Sequence, residues 1–176
     1  MISGGTSPGQ VIVSAFGIRQ TFDASNSPNR MTEITRVRVE SGDGADMISA
    51  SSTLRLPLFV DAGSGDDRVT AGGGAITVLG GLGDDVINGS VFDDSLDGGE
   101  GADVINGGIG NDVVIGGDGD DMLDAGANND TVRGDAGNDT IMAGRGDDCV
   151  RGGAGSDQIT GDTGDDEIDG EAGDDV

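Results

Sequence analysis

GGLGDDVIN GSVFDDSLD GGEGADVIN GGIGNDVVI GGDGDDMLD, residues 80–124, is five copies of one nine-residue unit with no insertion between them. The frame continues as AGANNDTVR, GDAGNDTIM, AGRGDDCVR, GGAGSDQIT and GDTGDDEID, and the chain ends inside the next unit, GEAGDDV. The sixth position is Asp throughout: Asp85, Asp94, Asp103, Asp112, Asp121, Asp130, Asp139, Asp148, Asp157, Asp166 and Asp175. The eighth is aliphatic in every complete unit, from Ile87 to Ile168. A fixed short period marks a repeat architecture in which each unit completes its core against neighbours.

Composition alone points elsewhere. Glycine supplies 36 of 176 residues, aromatics 2%, and net charge is −25, a profile that usually gives disorder. A disordered acidic chain has no reason to hold two positions in step over about a hundred residues. The charge balance, 34 acidic against 9 basic residues, argues against nucleic acid and against insertion into membranes. MISGGTSPGQ has no signal-peptide pattern, and no apolar run is long enough to span a bilayer. The single Cys149 excludes an internal disulfide framework and, without any His, reads as a surface thiol.

The frame also runs backward. AGSGDDRVT (62–70) is a full unit with Asp67, AGGGAITVL (71–79) has Ile76 in place of Asp, and SGDGADMIS (41–49) is an outlying copy with Asp46 and Ile48. Between them the step is irregular, and Leu54, Leu56, Leu58 and Val60 alternate like a longer strand. EITRVRVE (33–40) and VIVSAFGI (11–18) read as strands, with a loop near Asn26–Asn29. Residues 1–61 are therefore expected to form an irregular N-terminal solenoid cap, and 62–176 a regular roll truncated within a repeat.

Within a unit, the last three residues alternate outward, inward, outward, and so predict a very short strand with one inward side chain. The Gly-rich first six predict a tight reversal using positive φ. Two units then close one 18-residue coil, and the expected fold is all-β: a right-handed parallel β-solenoid with two short strands and two loops per coil. Asp residues 18 apart stack on one edge, where carboxylates about 5 Å apart repel by about 1 kcal/mol or more. Only oxygen ligands are available to the neutralising cation, and hard oxygens in a flexible loop select Ca²⁺.

The unit GGxGxDxUx, U being a large aliphatic residue, resembles the RTX (haemolysin-type) calcium-binding nonapeptide repeat, strongly over 62–176 and in an outlying copy over 41–49. The resemblance implies a β-roll in which each calcium lies between loops one coil apart. It takes the Asp and the carbonyls of positions two and four from one loop, and the Asp and the carbonyls of positions one and three from the next.

Carried over, Gly63, Gly65 and Asp67 would face Gly80, Leu82 and Asp85. Gly81 and Gly83 with Asp85 would face Gly98, Glu100 and Asp103; Gly99 and Gly101 with Asp103 would face Gly116, Asp118 and Asp121. Gly117 and Gly119 with Asp121 would face Gly134, Ala136 and Asp139, and Asp135 and Gly137 with Asp139 would face Gly152, Ala154 and Asp157. Gly153, Gly155 and Asp157 would meet Asp175. On the opposite edge, Gly108, Gly110 and Asp112 would face Ala125, Ala127 and Asp130; Gly126, Asn128 and Asp130 would face Ala143, Arg145 and Asp148; Gly144, Gly146 and Asp148 would face Gly161, Thr163 and Asp166. Phe92 departs from the pattern at a fourth position, weakening the pairing of Asp94 with Asp112, and Ile76 ends that edge. The ladder allows up to about ten ions.

The resemblance further implies an extracellular protein exported unfolded by type I secretion, with a signal beyond the truncated last repeat. Neither a catalytic constellation nor an organic cofactor site is legible. The alternative is a structural or adhesive rod whose uncapped end self-associates end to end. Ice binding is disfavoured because outward third positions such as Leu82, Glu100, Arg145 and Thr163 are irregular. One inward aliphatic per nine residues is too little burial to offset ordering all nine, so metal binding becomes folding free energy. Circular dichroism should show a largely disordered chain in chelator and a β-rich one in millimolar calcium; identical spectra would refute this.

Overall fold

The computed structural model describes residues 2–4, 10–15, 18–23 and 36–176. The expected loop at Asn26–Asn29, and the first residues of EITRVRVE, lie outside these. Strands β1 (Ile2–Gly4), β2 (Gln10–Ala15) and β3 (Ile18–Asp23) pair antiparallel in a sheet of their own. Every later strand pairs parallel.

One parallel sheet stacks β4 (Val37–Glu40), β6 (Leu58–Ser64), β8 (Ile76–Leu82), β10 (Ser95–Glu100), β12 (Val113–Asp118), β14 (Thr131–Ala136), β16 (Cys149–Ala154) and β18 (Glu167–Ala172). The other stacks β5 (Met47–Ser49), β7 (Arg68–Thr70), β9 (Val86–Asn88), β11 (Val104–Ile109), β13 (Met122–Ala127), β15 (Thr140–Arg145) and β17 (Gln158–Thr163). Successive strands thus alternate between two sheets, as two units per coil require. No helix occurs among the described residues, and the architecture is a parallel β-solenoid of the β-roll kind.

Register makes the period visible. Leu96 pairs with Val114 and Ile105 with Leu123, both 18 residues on. The first coil differs: Val37 pairs with Leu58 and Ile48 with Val69, a step of 21. The irregular segment noted in the sequence is therefore three extra residues, taken up in the turn after Ala50. Within it Leu54 is buried while outside any strand, and the strand begins only at Leu58. The alternation of Leu54, Leu58 and Val60 reports core, but not one continuous strand.

Most strands are also longer than three residues, β5, β7 and β9 excepted. From β10 onward each runs from position seven of one unit to position three of the next, and two positions point inward. Position eight supplies Leu96, Ile105, Val114, Leu123, Val132, Ile141 and Val150, each at most 1% exposed. Position one supplies the second inward site, where Ala62, Ala125 and Ala143 are fully buried. It is Gly or Ala in every unit from 80 onward, and at Gly98 even a β-carbon would run into the Asp103 carboxylate. The core is a thin double row of side chains, closed at both edges by Asp-bearing loops.

Ile141 is fully buried and its neighbour Met142 faces out at 39% exposure. In calcium-loaded protein, Ile141→Ala should lower unfolding free energy by about 2–4 kcal/mol, and Met142→Ala by less than about 0.5 kcal/mol. Urea denaturation measures both.

Candidate metal sites

Two left-handed residues shape each regular loop. Gly99 has φ 110° and Gly101 φ 135°, and a β-carbon on either would run into the carbonyl oxygen of Gly81 or Gly83 in the coil before. Second- and fourth-position carbonyls therefore point toward the following coil. Carbonyls of positions one and three point back: that of Gly98 lies against Gly80, and that of Glu100 accepts the Gly83 N–H at 2.7 Å. Asn128 (φ 89°) and Asp135 (φ 74°) adopt the same left-handed geometry, which Asn and Asp tolerate best among side-chain-bearing residues.

The ladder carboxylates sit in these gaps, buried. Asp67, Asp85, Asp94, Asp103, Asp112, Asp121, Asp130, Asp139, Asp148 and Asp157 are each no more than 4% exposed; Asp166 and Asp175, in the last coil, are half-buried. One oxygen of each is satisfied by the backbone. Asp103 Oδ1 accepts the Asp85 N–H at 2.7 Å, Asp121 Oδ1 the Asp103 N–H at 2.8 Å, and Asp130 Oδ1 the Asp112 N–H at 2.7 Å. The other oxygen is not. Oδ2 of Asp46, Asp67, Asp85, Asp103, Asp112, Asp121, Asp130, Asp139, Asp148 and Asp157 is buried without any hydrogen-bond donor. Buried polar atoms are almost always paired, and an ionised oxygen left unpaired in a dry gap costs several kcal/mol, so ten in repeating positions call for a cation. Among the described residues no three acidic or Cys side chains converge on one point, so main-chain carbonyls would supply most of the ligands. An all-oxygen set with two carboxylates per gap fits calcium.

Asp94 is the exception. Its Oδ2 accepts the Ser90 N–H at 2.5 Å, and its Oδ1 accepts the Ser90 hydroxyl at 3.1 Å and the Ile76 N–H at 2.8 Å. Neither Ser90 nor Phe92 takes positive φ, unlike Gly108 and Gly110 at those positions one coil on. Here a serine supplies the donors that the other carboxylates lack.

A second ladder runs outside the first. Position five, the leading residue of each Asp-Asp or Asn-Asp pair, accepts the N–H one coil further on: Asp84 from Ala102 at 2.9 Å, Asp93 from Asn111 at 2.8 Å, Asp120 from Asn138 at 2.7 Å, Asp147 from Asp165 at 3.0 Å. These residues are exposed and are more than solvated charge: they tie each loop to the next in the opposite direction to the inner ladder.

Burial raises the inner carboxylates first, and neighbouring carboxylates add to it. Asp121 and Asp130 are pushed up to about 7, and Asp85, Asp112 and Asp139 to about 6, although the backbone N–H on each works the other way. Asp67, Asp103 and Asp148 are raised for the same reason.

A parallel β-solenoid whose loops stack buried carboxylates and inward-turned carbonyls is a metal-binding repeat module. The RTX calcium-binding nonapeptide repeat matches in four copies, over residues 59–75, 79–114, 115–150 and 150–176, and the chain belongs to that family. It is a calcium-binding β-roll. A search of curated proteins found no match to the chain.

Because the folded carboxylates hold protons more tightly than the unfolded ones, the ion-free roll gains stability as pH falls from about 7 toward about 4 and loses it as pH rises. Calcium competes with those protons. Lowering pH from about 7.5 to about 5.5 should therefore raise the calcium concentration needed for folding, while increasing β-signal in chelator. Far-ultraviolet circular dichroism over that range checks both signs.

Proposed function

We propose that calcium assembles this roll, and that the chain is the calcium-dependent folding module of an extracellular bacterial protein, with no catalysis of its own. The observation that supports the reading is the ten buried Oδ2 atoms without donors, repeated coil by coil along two edges. An ion in each gap would take Oδ atoms from two successive ladder residues and the four carbonyls that turn into the gap. Asp103 and Asp121, with the carbonyls of Gly99, Gly101, Gly116 and Asp118, form one such set; the other sets named from the sequence follow the same geometry. Each internal Asp then serves two ions. Of the ten pairings running from Asp67–Asp85 to Asp157–Asp175 and from Asp94–Asp112 to Asp148–Asp166, the one involving Asp94 is the weakest, because Ser90 already satisfies its carboxylate.

Export follows from the same linkage. A chain that cannot bury its carboxylates without calcium stays unfolded where calcium is scarce and folds where it is abundant, which suits passage through a type I secretion channel. Calcium sites of extracellular modules have dissociation constants of about 10⁻⁴–10⁻³ M.

Titrating calcium into chelated protein should give a cooperative folding midpoint in that range; a submicromolar midpoint would contradict the export reading. Asp121→Asn, which removes half the carboxylate pair of two adjacent gaps, should lower bound calcium by one to two ions and raise the midpoint. Asp120→Asn, on the exposed ladder, should leave the ion count unchanged. Atomic emission on gel-filtered protein reads the counts.

A further inference from the structure

We infer that the N-terminal coil carries one further calcium site, between Asp46 and Asp67, outside the matched repeats and three residues out of step with them. It rests on the calcium reading above and extends it to the outlying copy at 41–49, which lies before the residues the family match covers.

The unit Ser41–Ser49 precedes the first matched residue, 59, and its Asp stands 21 residues before Asp67 instead of 18. Spacing alone would discard it. The structure restores the geometry, because the three additional residues lie on the opposite edge, in the turn after Ala50, and leave the Asp46 loop unaltered. The Asp46 N–H donates to Asp67 Oδ1 at 2.6 Å, the same contact that joins ladder residues 18 apart. Gly42 and Gly44, at the second and fourth positions, have φ 94° and 105°. A β-carbon on Gly63 would run into the Gly42 carbonyl oxygen, and one on Gly65 would press on the Gly44 carbonyl, so both carbonyls point into the gap toward Asp67. From the other side, the Ser64 carbonyl accepts the Gly44 N–H at 2.6 Å, matching Glu100 and Gly83.

Two buried carboxylates line that gap. Asp46 is 9% exposed and Asp67 2%, and Oδ2 of each is buried with no donor. Two unpaired carboxylate oxygens with the carbonyls of Gly42, Gly44, Ala62 and Ser64 make an all-oxygen set suited to calcium. The Ser41 hydroxyl donates to the Ala62 carbonyl at 2.9 Å and leaves that oxygen its second lone pair. Asp43, three residues before Asp46, is exposed and accepts the Ser64 hydroxyl at 2.8 Å, so it lies outside the set. The ion would hold the 21-residue coil to the regular stack and make it the column's first member.

Native mass spectrometry of the full chain in calcium counts ions directly. Asp46→Asn should carry one ion fewer than the unmodified protein, Asp43→Asn the same number, and Asp121→Asn one or two fewer. An Asp46→Asn count equal to the unmodified protein's overturns the site, while loss in Asp121→Asn keeps the general calcium reading intact. No bound calcium in any of them would sink the general reading itself. Anomalous diffraction from unmodified crystals grown in calcium guards against a variant that merely unfolds the coil: a peak between Asp46 and Asp67 supports the site, and its absence beside peaks elsewhere overturns it.

Discussion

Two columns of carboxylates, each one coil above the next and sealed from water, govern this molecule. From Asp67 to Asp157 each carboxylate has one oxygen committed to a backbone N–H of the preceding coil and, save at Asp94, one buried oxygen facing a gap lined with carbonyls. Every group lining that gap is electronegative. No basic side chain reaches it among the described residues: of the 9 in the chain, Arg38, Arg133 and Arg151 pair with surface acids instead. The thin core cannot compensate either, because half of its inward positions are Gly or Ala. Cohesion between coils must come through the gaps.

That constraint explains features of the loops that composition would suggest are weaknesses. Positive-φ residues at positions two and four turn carbonyls along the stack, at the conformational cost that makes glycine the usual choice. The small first-position residue leaves room for the Asp side chain of its own unit. The outer Asx ladder links the same loops by hydrogen bonds that need no ion, and it runs in the opposite sense to the inner one. Ser90 shows what the inner ladder looks like when satisfied from within: a hydroxyl and an N–H take the place that a cation would hold.

Much of this was legible in the sequence, for a physical reason. The sixth and eighth positions each answer to one strict demand, a carboxylate at the edge and an aliphatic in the core, so from residue 80 onward they recur in every complete unit and disclose period, coil size and ligand chemistry. Other features answer to two demands at once and are masked. The first-position glycine reads as a turn residue, although it lies on a strand facing inward; the alanines at 62, 125 and 143 were the available signal. The leading acid of each Asp-Asp pair carries no distinct signal in the sequence because its role depends on an N–H 18 residues away. The 21-residue coil was hidden since periodicity cannot tell three residues absorbed in one turn from a loss of register, whereas strand pairing can.

These carboxylate columns should not hold together at neutral pH without cations. Amide hydrogen exchange, resolved by residue at pH 7.5 to 8 in chelator and again in millimolar calcium, tests this most directly. The ladder amides, Asp85, Asp103, Asp112, Asp121 and Asp130 among them, should exchange as in an unfolded chain without calcium and become strongly protected with it. Protection of those amides in chelator, at a level unchanged by calcium, would contradict the account.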